Sequence, residues 1–186
     1  MYGQSIKTVF ETISSDAGHW TEEANGIRGI CSGWGSAVLI APEAENACLT
    51  AKIIIKKGAR AGYALRCAIS DGLTRGVTVL LDIENQRVEL AELYYLPREG
   101  FGRLCNDVVN GGLIRDGDYK RMPLEYEREY ALRVLMNHEF FEIYLDDIWI
   151  IIKALKNAAP IGSVQAIVER GDAWFTHDLR FMKNKL

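Results

Sequence analysis

The feature that most constrains this chain is a side-chain period of two, recurring at short intervals with turn-forming residues between. Leu49, Ala51, Ile53 and Ile55 alternate with Thr50, Lys52 and Ile54, and Lys57-Gly58 follows. Tyr63, Leu65, Cys67 and Ile69 alternate with Ala64, Arg66 and Ala68 as far as Asp71-Gly72. Val77 to Ile83 is an aliphatic, β-branched run closed by Glu84-Asn85-Gln86, and Arg87 to Leu93 alternates again. The four prolines, Pro42, Pro97, Pro123 and Pro160, fall between these segments, where a missing ladder donor does no harm. Helical character is conceivable only over Ile151 to Ala159, and its isoleucine-rich start argues for a strand.

The sharpest local expectation is a hairpin within Glu129 to Asp147. A two-residue turn at Asn137-His138 pairs Val134 with Phe141 and Leu132 with Ile143 on one face. It pairs Arg133 with Glu142 and Ala131 with Tyr144 on the other. A slip of one residue would turn every side chain over, so the matching of apolar with apolar and charge with counter-charge is informative. Toward the C-terminus Ser163 to Glu169 alternates and Arg170-Gly171-Asp172 reads as a turn. A last strand follows, with Ala173, Phe175, His177, Leu179 and Phe181 on one face. Ten or more short strands spaced in this way predict an all-β fold, a two-sheet antiparallel sandwich of jelly-roll type, as one domain over residues 1–186. Leu96 to Leu124, rich in Gly, Asn and Asp, reads as an elaborated loop.

Composition narrows the function. Hydrophobic residues make up 48% of the 186, and 22 Lys and Arg stand against 25 Asp and Glu, a net charge of −3. A chain with no basic excess is not built for nonspecific phosphate binding, so nucleic acid is not expected as a partner. The longest apolar run, Ile148 to Ile152, is far too short for a helical membrane span, and no membrane association is expected. The first residues lack a basic segment followed by an apolar run, so no signal peptide is visible; a full-length chain of this kind would be cytoplasmic. Cys31, Cys48, Cys67 and Cys105 form no CxxC or Cys/His cluster. Buried free thiols are the simplest reading, and a secreted chain could pair them in either of several ways.

The order of several strings carries a resemblance. These are Gly18-His-Trp20, Asn25 to Gly29, Leu49 to Ile53, Arg60 to Arg66, Gly76 to Asp82, Glu142 to Asp147, Gly162-Ser-Val and Gly171 to Phe175. Together they resemble concanavalin A-like lectin/glucanase sandwiches. In particular they are similar to the accessory sandwich that follows the catalytic propeller in invertase- and levanase-like enzymes of glycoside hydrolase family 32. The resemblance implies carbohydrate as a ligand and a catalytic glycoside hydrolase domain as a partner. It implies no catalysis here: the family's Asn-Asp-Pro-Asn and Arg-Asp-Pro runs have as nearest strings Asn106-Asp107-Val108 and Arg115-Asp116-Gly117, both without proline, and no Glu-Cys occurs. Structural packing on the catalytic domain and, third, a small glycan hydrolase are the alternatives.

Sugar sites stack an apolar ring face on an aromatic side chain and surround it with planar hydrogen-bonding groups. Trp174, on the face opposite Ala173 and Phe175, and Trp149, beside Asp147, are the indole candidates; the resemblance implies a core position for Trp20, and Trp34 is left open. Tyr144, Arg133 and Glu142 belong together on the outer face of the hairpin, with Arg66 joining from another strand. For hydrolysis the candidates are Glu125, Glu127 and Glu129, which share a face if their segment is extended. No cofactor is expected; Asp146-Asp147 and Asp116-Gly-Asp118 leave calcium open. His19, His138 and His177 show no metal or relay spacing, and no Gly-x-Ser-x-Gly, phosphate loop or dinucleotide fingerprint occurs.

Overall fold

The computed structural model describes residues 10–13, 18–39, 45–70, 73–95, 117–156, 158–176 and 180–183. All its regular elements are strands: β1 Phe10–Ile13, β2 Gly18–Glu23, β3 Gly26–Leu39, β4 Ala47–Ser70, β5 Leu73–Asp82, β6 Arg87–Tyr95, β7 Gly117–Arg121, β8 Glu129–Asn137, β9 Phe140–Leu145, β10 Ile148–Ala154, β11 Ser163–Thr176 and β12 Arg180–Lys183. Every pairing is antiparallel.

Three long strands make two layers from one continuous hydrogen-bonded sheet. The start of β4 pairs with β8 along residues 47–54, whereas its later part pairs with β5 from Arg60 onward. β11 follows β4 along the opposite edge, and β3 follows β11. The first layer therefore holds β2, β8, β9, β10, β12 and the near ends of β3, β4 and β11. The second holds β1, β5, β6, β7 and their far ends. Between them, Leu49, Ala51, Ile53 and Ile55 face Ala61, Tyr63, Leu65, Val79 and Leu90 in one buried cluster with Leu132, Val134, Phe141 and Ile143. Tyr63 of the second layer meets Phe175 of the first edge-on, ring centroids 5.4 Å apart. Trp20 packs against this core from β2, as the resemblance implied.

Two expected turns are bends within single strands. Lys57-Gly58 does not end a strand: β4 runs through it, with Gly58 at φ 97° and a register shift on the β11 side at Lys56. Arg170-Gly171-Asp172 likewise lies inside β11, where Arg170 has φ 45° and the register with β3 shifts between Glu169 and Gly171. The two bends coincide, because Gly58 and Gly171 are register partners. A bulge turns a strand without severing its ladder, which is how one strand serves two layers. The expected last strand is divided accordingly: β11 ends at Thr176, and β12 continues along the same edge of β4 with Phe181 opposite Leu49. His177 and Leu179 lie outside the described residues, as does Asp71-Gly72.

Two further expectations are corrected. The hairpin turn is His138-Glu139, one residue further on, so Val134 pairs with Ile143, Leu132 with Leu145 and Arg133 with Tyr144. His138 takes the left-handed backbone at φ 51°, and the Asn46 side chain accepts its N–H at 2.9 Å. That anchor favours the observed turn over Asn137-His138. Within the expected loop Leu96 to Leu124, Gly117–Arg121 forms β7 against β6; Cys105 and residues 96–116 are outside the described set. The segment Ile148–Ala154 is a strand, as its isoleucines suggested.

Cys31, Cys48 and Cys67 are free and buried, and burial pushes the Cys31 thiol up to about 11 and the Cys67 thiol up to about 12. On the outer face of the first layer Arg28 grips Asp172 through two donors, Nε at 2.8 Å and Nη2 at 2.5 Å. The Arg28 hydrogen bond holds the Asp172 carboxyl below its usual range.

Two measurements check this account. A Cβ at position 58 would sit 2.0 Å from the Arg170 carbonyl oxygen, at a positive φ. Gly58→Ala is therefore expected to cost about 2 kcal/mol or more in denaturant unfolding; an unchanged midpoint would mean that the bend is not needed. Asp172 ionises more readily folded than unfolded, so its contribution is present above the unfolded carboxylate pKa near 4 and is lost as pH falls through the lower folded value. Asp172→Asn is expected to lower stability by about 1 kcal/mol at neutral pH, because Arg28 is partly solvated. The difference from wild type should shrink toward pH 2 to 3, a trend absent from an uncoupled carboxylate.

Candidate functional site

The two outer faces of the sandwich differ in kind. On the first layer, strand register sets a row across four adjacent strands: Thr50 on β4, Arg133 on β8, Tyr144 on β9 and Trp149 on β10, each directly opposite the next. Alternation explains why they point outward, since β8 and β9 bury every second residue, Leu132, Val134, Phe141 and Ile143 among them. The Arg133 guanidinium lies over the Tyr144 ring at 4.2 Å. The Tyr144 hydroxyl donates to Glu142 at 2.6 Å, and that bond raises the phenol's pKa. Trp149, 50% exposed, ends the row; Lys120 of β7 donates to its carbonyl at 3.0 Å and lies 5.8 Å from the centre of its ring.

Four of the six residues singled out in the sequence, Arg133, Glu142, Tyr144 and Trp149, therefore come together. Their arrangement differs from expectation, because Arg133 opposes Tyr144 and not Glu142. Asp147, in the β9–β10 turn, completes the set from the other flank, 3.9 Å from Arg133. Trp174 shares this outer face but stands on β11 opposite Arg28 and Ile54, with β4 and β8 between it and Tyr144. The Trp34 side chain lies outside what the structure describes.

Arg66 is not part of the surface. It is 3% exposed, occupies a bulge of β4 at φ 52°, and lies over the ring of the core residue Phe141 at 4.9 Å. Its Nη1 donates to the His138 carbonyl at 2.6 Å and its Nη2 to the Glu45 carbonyl. A bulge reverses the facing of the residue it inserts, which alternation alone does not reveal. Arg66 thus ties the second-layer part of β4 to the tip of the β8–β9 hairpin.

The hydrolase candidates do not form one row. Residues Tyr126 and Glu127 make a turn, Glu127 has φ 59° and donates its N–H to the Ile55 carbonyl, and only Glu129 enters a strand, paired with Lys52 at 2.8 Å. The spacing that would align three carboxylates requires an extended chain, and Glu125-Tyr-Glu127 is not extended. Asp146 has both carboxylate oxygens engaged, by the Ala131 N–H and by Arg128, each at 2.8 Å. Among the described residues no group of three or more His, Cys, Asp or Glu is gathered for a metal.

The second layer's outer face carries a feature that the sequence reading missed. Glu169, Arg60, Asp82, Arg87 and Arg121 are successive register partners across β11, β4, β5, β6 and β7. Arg60 lies 3.5 Å from Asp82, 3.4 Å from Glu89 and 3.7 Å from Glu169; Arg87 holds Asp82 at 3.1 Å and pairs with Glu89. Ala64, Thr78, Leu80 and Ile167 on the same face are fully buried, so this face is covered. Among the described residues its rim opens, where Arg87 lies 5.0 Å over the exposed Tyr119 ring. Nothing in the sequence indicated that these polar residues align.

No protein-family model and no curated protein sequence matches this chain. Solved structures share its fold. A carbohydrate-binding module, CBM66, from Bacillus subtilis superposes with a TM-score of 0.69 at 18% identity, covering 90% of this chain and 91% of that one. Two proteins of Parabacteroides distasonis described as candidate glycosyl hydrolases each superpose with a TM-score of 0.58, at 9% and 11% identity. They cover 89% of this chain and 84% and 90% of theirs. The chain is an antiparallel jelly-roll sandwich.

Proposed function

We propose that this chain is a carbohydrate-recognition module that binds without catalysis, as an accessory to a glycoside hydrolase. The observation that carries the reading is the open row Arg133–Tyr144–Trp149. A half-exposed indole offers an apolar face for a sugar ring, and Arg133, Glu142 and Asp147 supply charged hydrogen-bonding groups beside it. Stacking displaces water from both apolar faces while the planar groups exchange water for hydroxyls. No covalent step is involved. The likeness to a module named as carbohydrate-binding supports the ligand class, and the resemblance to the family 32 accessory sandwich supports the association with a hydrolase.

A second reading rests on a different property of the same region. Phe140 and Ile152, on the same outer face as Trp149, are 48% and 53% exposed, more apolar surface than hydroxyl recognition requires. That strip suits packing against a catalytic partner domain.

Affinity electrophoresis through fructan and β-glucan gels, followed by titration calorimetry with the retarding polymer, separates the two. Recognition requires retardation, and Trp149→Ala should weaken it about tenfold, the equivalent of roughly 1–2 kcal/mol of lost ring burial, at unchanged melting temperature. Ile152→Glu should leave sugar binding nearly intact but abolish co-elution with a catalytic chain if the packing reading holds. Mobility unaffected by every polymer would overturn recognition.

A further inference from the structure

We infer that the ligand of the first-layer face is the interior of an extended saccharide chain laid across the strands, not a single sugar or a chain end. The inference rests on the recognition reading above and concerns the shape of what is recognised. The row Thr50–Arg133–Tyr144–Trp149 follows the inter-strand hydrogen-bond direction, so its residues stand about 4.8 Å apart and span roughly 14 Å, several sugar rings in width. Sites that capture one sugar or one terminus enclose most of the ligand's surface. Toward Trp149 the row is not enclosed by its neighbours. Ala131 and Asp147 on one side, and Ile152 on the other, are themselves exposed.

The polar groups point the same way. Glu142 lies two residues from Tyr144 toward one flank of the row, and Asp147 lies in the turn beyond the other flank. Carboxylates on both sides suit a chain that presents hydroxyls along both edges as it passes over the rings. A terminal sugar would need its donors and acceptors gathered around one ring. The cation–ring stack of Arg133 on Tyr144 extends the flat surface inward from Trp149, which favours contact with successive units.

The test is a calorimetric series with oligosaccharides of increasing length, prepared from whichever fructan or β-glucan retards the protein, together with the same oligomers blocked at their ends. Affinity should tighten about tenfold or more from the monosaccharide to the longest oligomer. End-blocking should change it less than about twofold. Arg133→Ala should weaken the long oligomers several-fold, and Trp149→Phe, which keeps a ring, should recover most of what Trp149→Ala loses. A monosaccharide binding as tightly as the longest oligomer, or loss of binding on end-blocking, would overturn the extended-chain inference while leaving recognition standing. Binding that Trp149→Ala does not affect, or no binding to any polymer, would overturn both.

Discussion

The back-to-back approach of Gly58 and Gly171 is the constraint on which the rest of this sandwich depends. β4 and β11 bend at the same level, and a Cβ at either position would meet the other strand's backbone, 2.0 Å away for Gly58 and 2.5 Å for Gly171. With both side chains absent, the two strands remain hydrogen-bonded through the bend, and each contributes to both layers. The core is then closed by covalent continuity as well as by packing: Phe175 and Tyr63, which meet edge-on, belong to β11 and β4 on opposite sides of the bend. A sheet folded over in this way needs few loops to close its core, and the alternating apolar residues on both halves end up facing one another.

Facing was legible in the sequence; connectivity was not. Alternation placed Leu49, Leu132, Val134, Tyr63 and Phe175 correctly, because a period of two fixes which side a residue faces wherever the chain is extended. It could not separate a turn from a bulge, since Lys57-Gly58 and Arg170-Gly171-Asp172 carry the same small and polar residues either event requires. The hairpin shows the limit clearly. Moving the turn from Asn137-His138 to His138-Glu139 changes every cross-strand partner, yet the register shifts by two and every residue keeps its face. Apolar matching could not distinguish the two registers. What decides between them is the non-local hydrogen bond from the His138 N–H to Asn46, on a segment 92 positions earlier.

The same reasoning explains the candidate site. Tyr144, Glu142 and Arg133 were found because they are outward residues of one local hairpin, whose strands are adjacent whichever turn is used. Arg66 was misassigned because its left-handed bulge breaks the alternation, bringing a guanidinium inward to carbonyls of His138 and Glu45. The ladder Glu169–Arg60–Asp82–Arg87 escaped notice because its members come from four strands spread over more than a hundred residues. Only the sheet order aligns them.

The contrast between the two outer faces bears on which one can bind. Arg60 is buried among three carboxylates, and removing charges from water costs several kcal/mol per ion before pairing offsets it. A ligand entering there would have to displace interactions that already satisfy one another beneath a covered surface. The first-layer row has committed little: the Tyr144 hydroxyl donates a hydrogen bond to Glu142, Arg133 lies on the ring, and half of the Trp149 surface still faces water. Burying that indole under a sugar gains free energy at the expense of no more than the long Lys120 contact with its ring, so the open face is where recognition costs least and the covered ladder is better suited to fixing the order of β11, β4, β5 and β6.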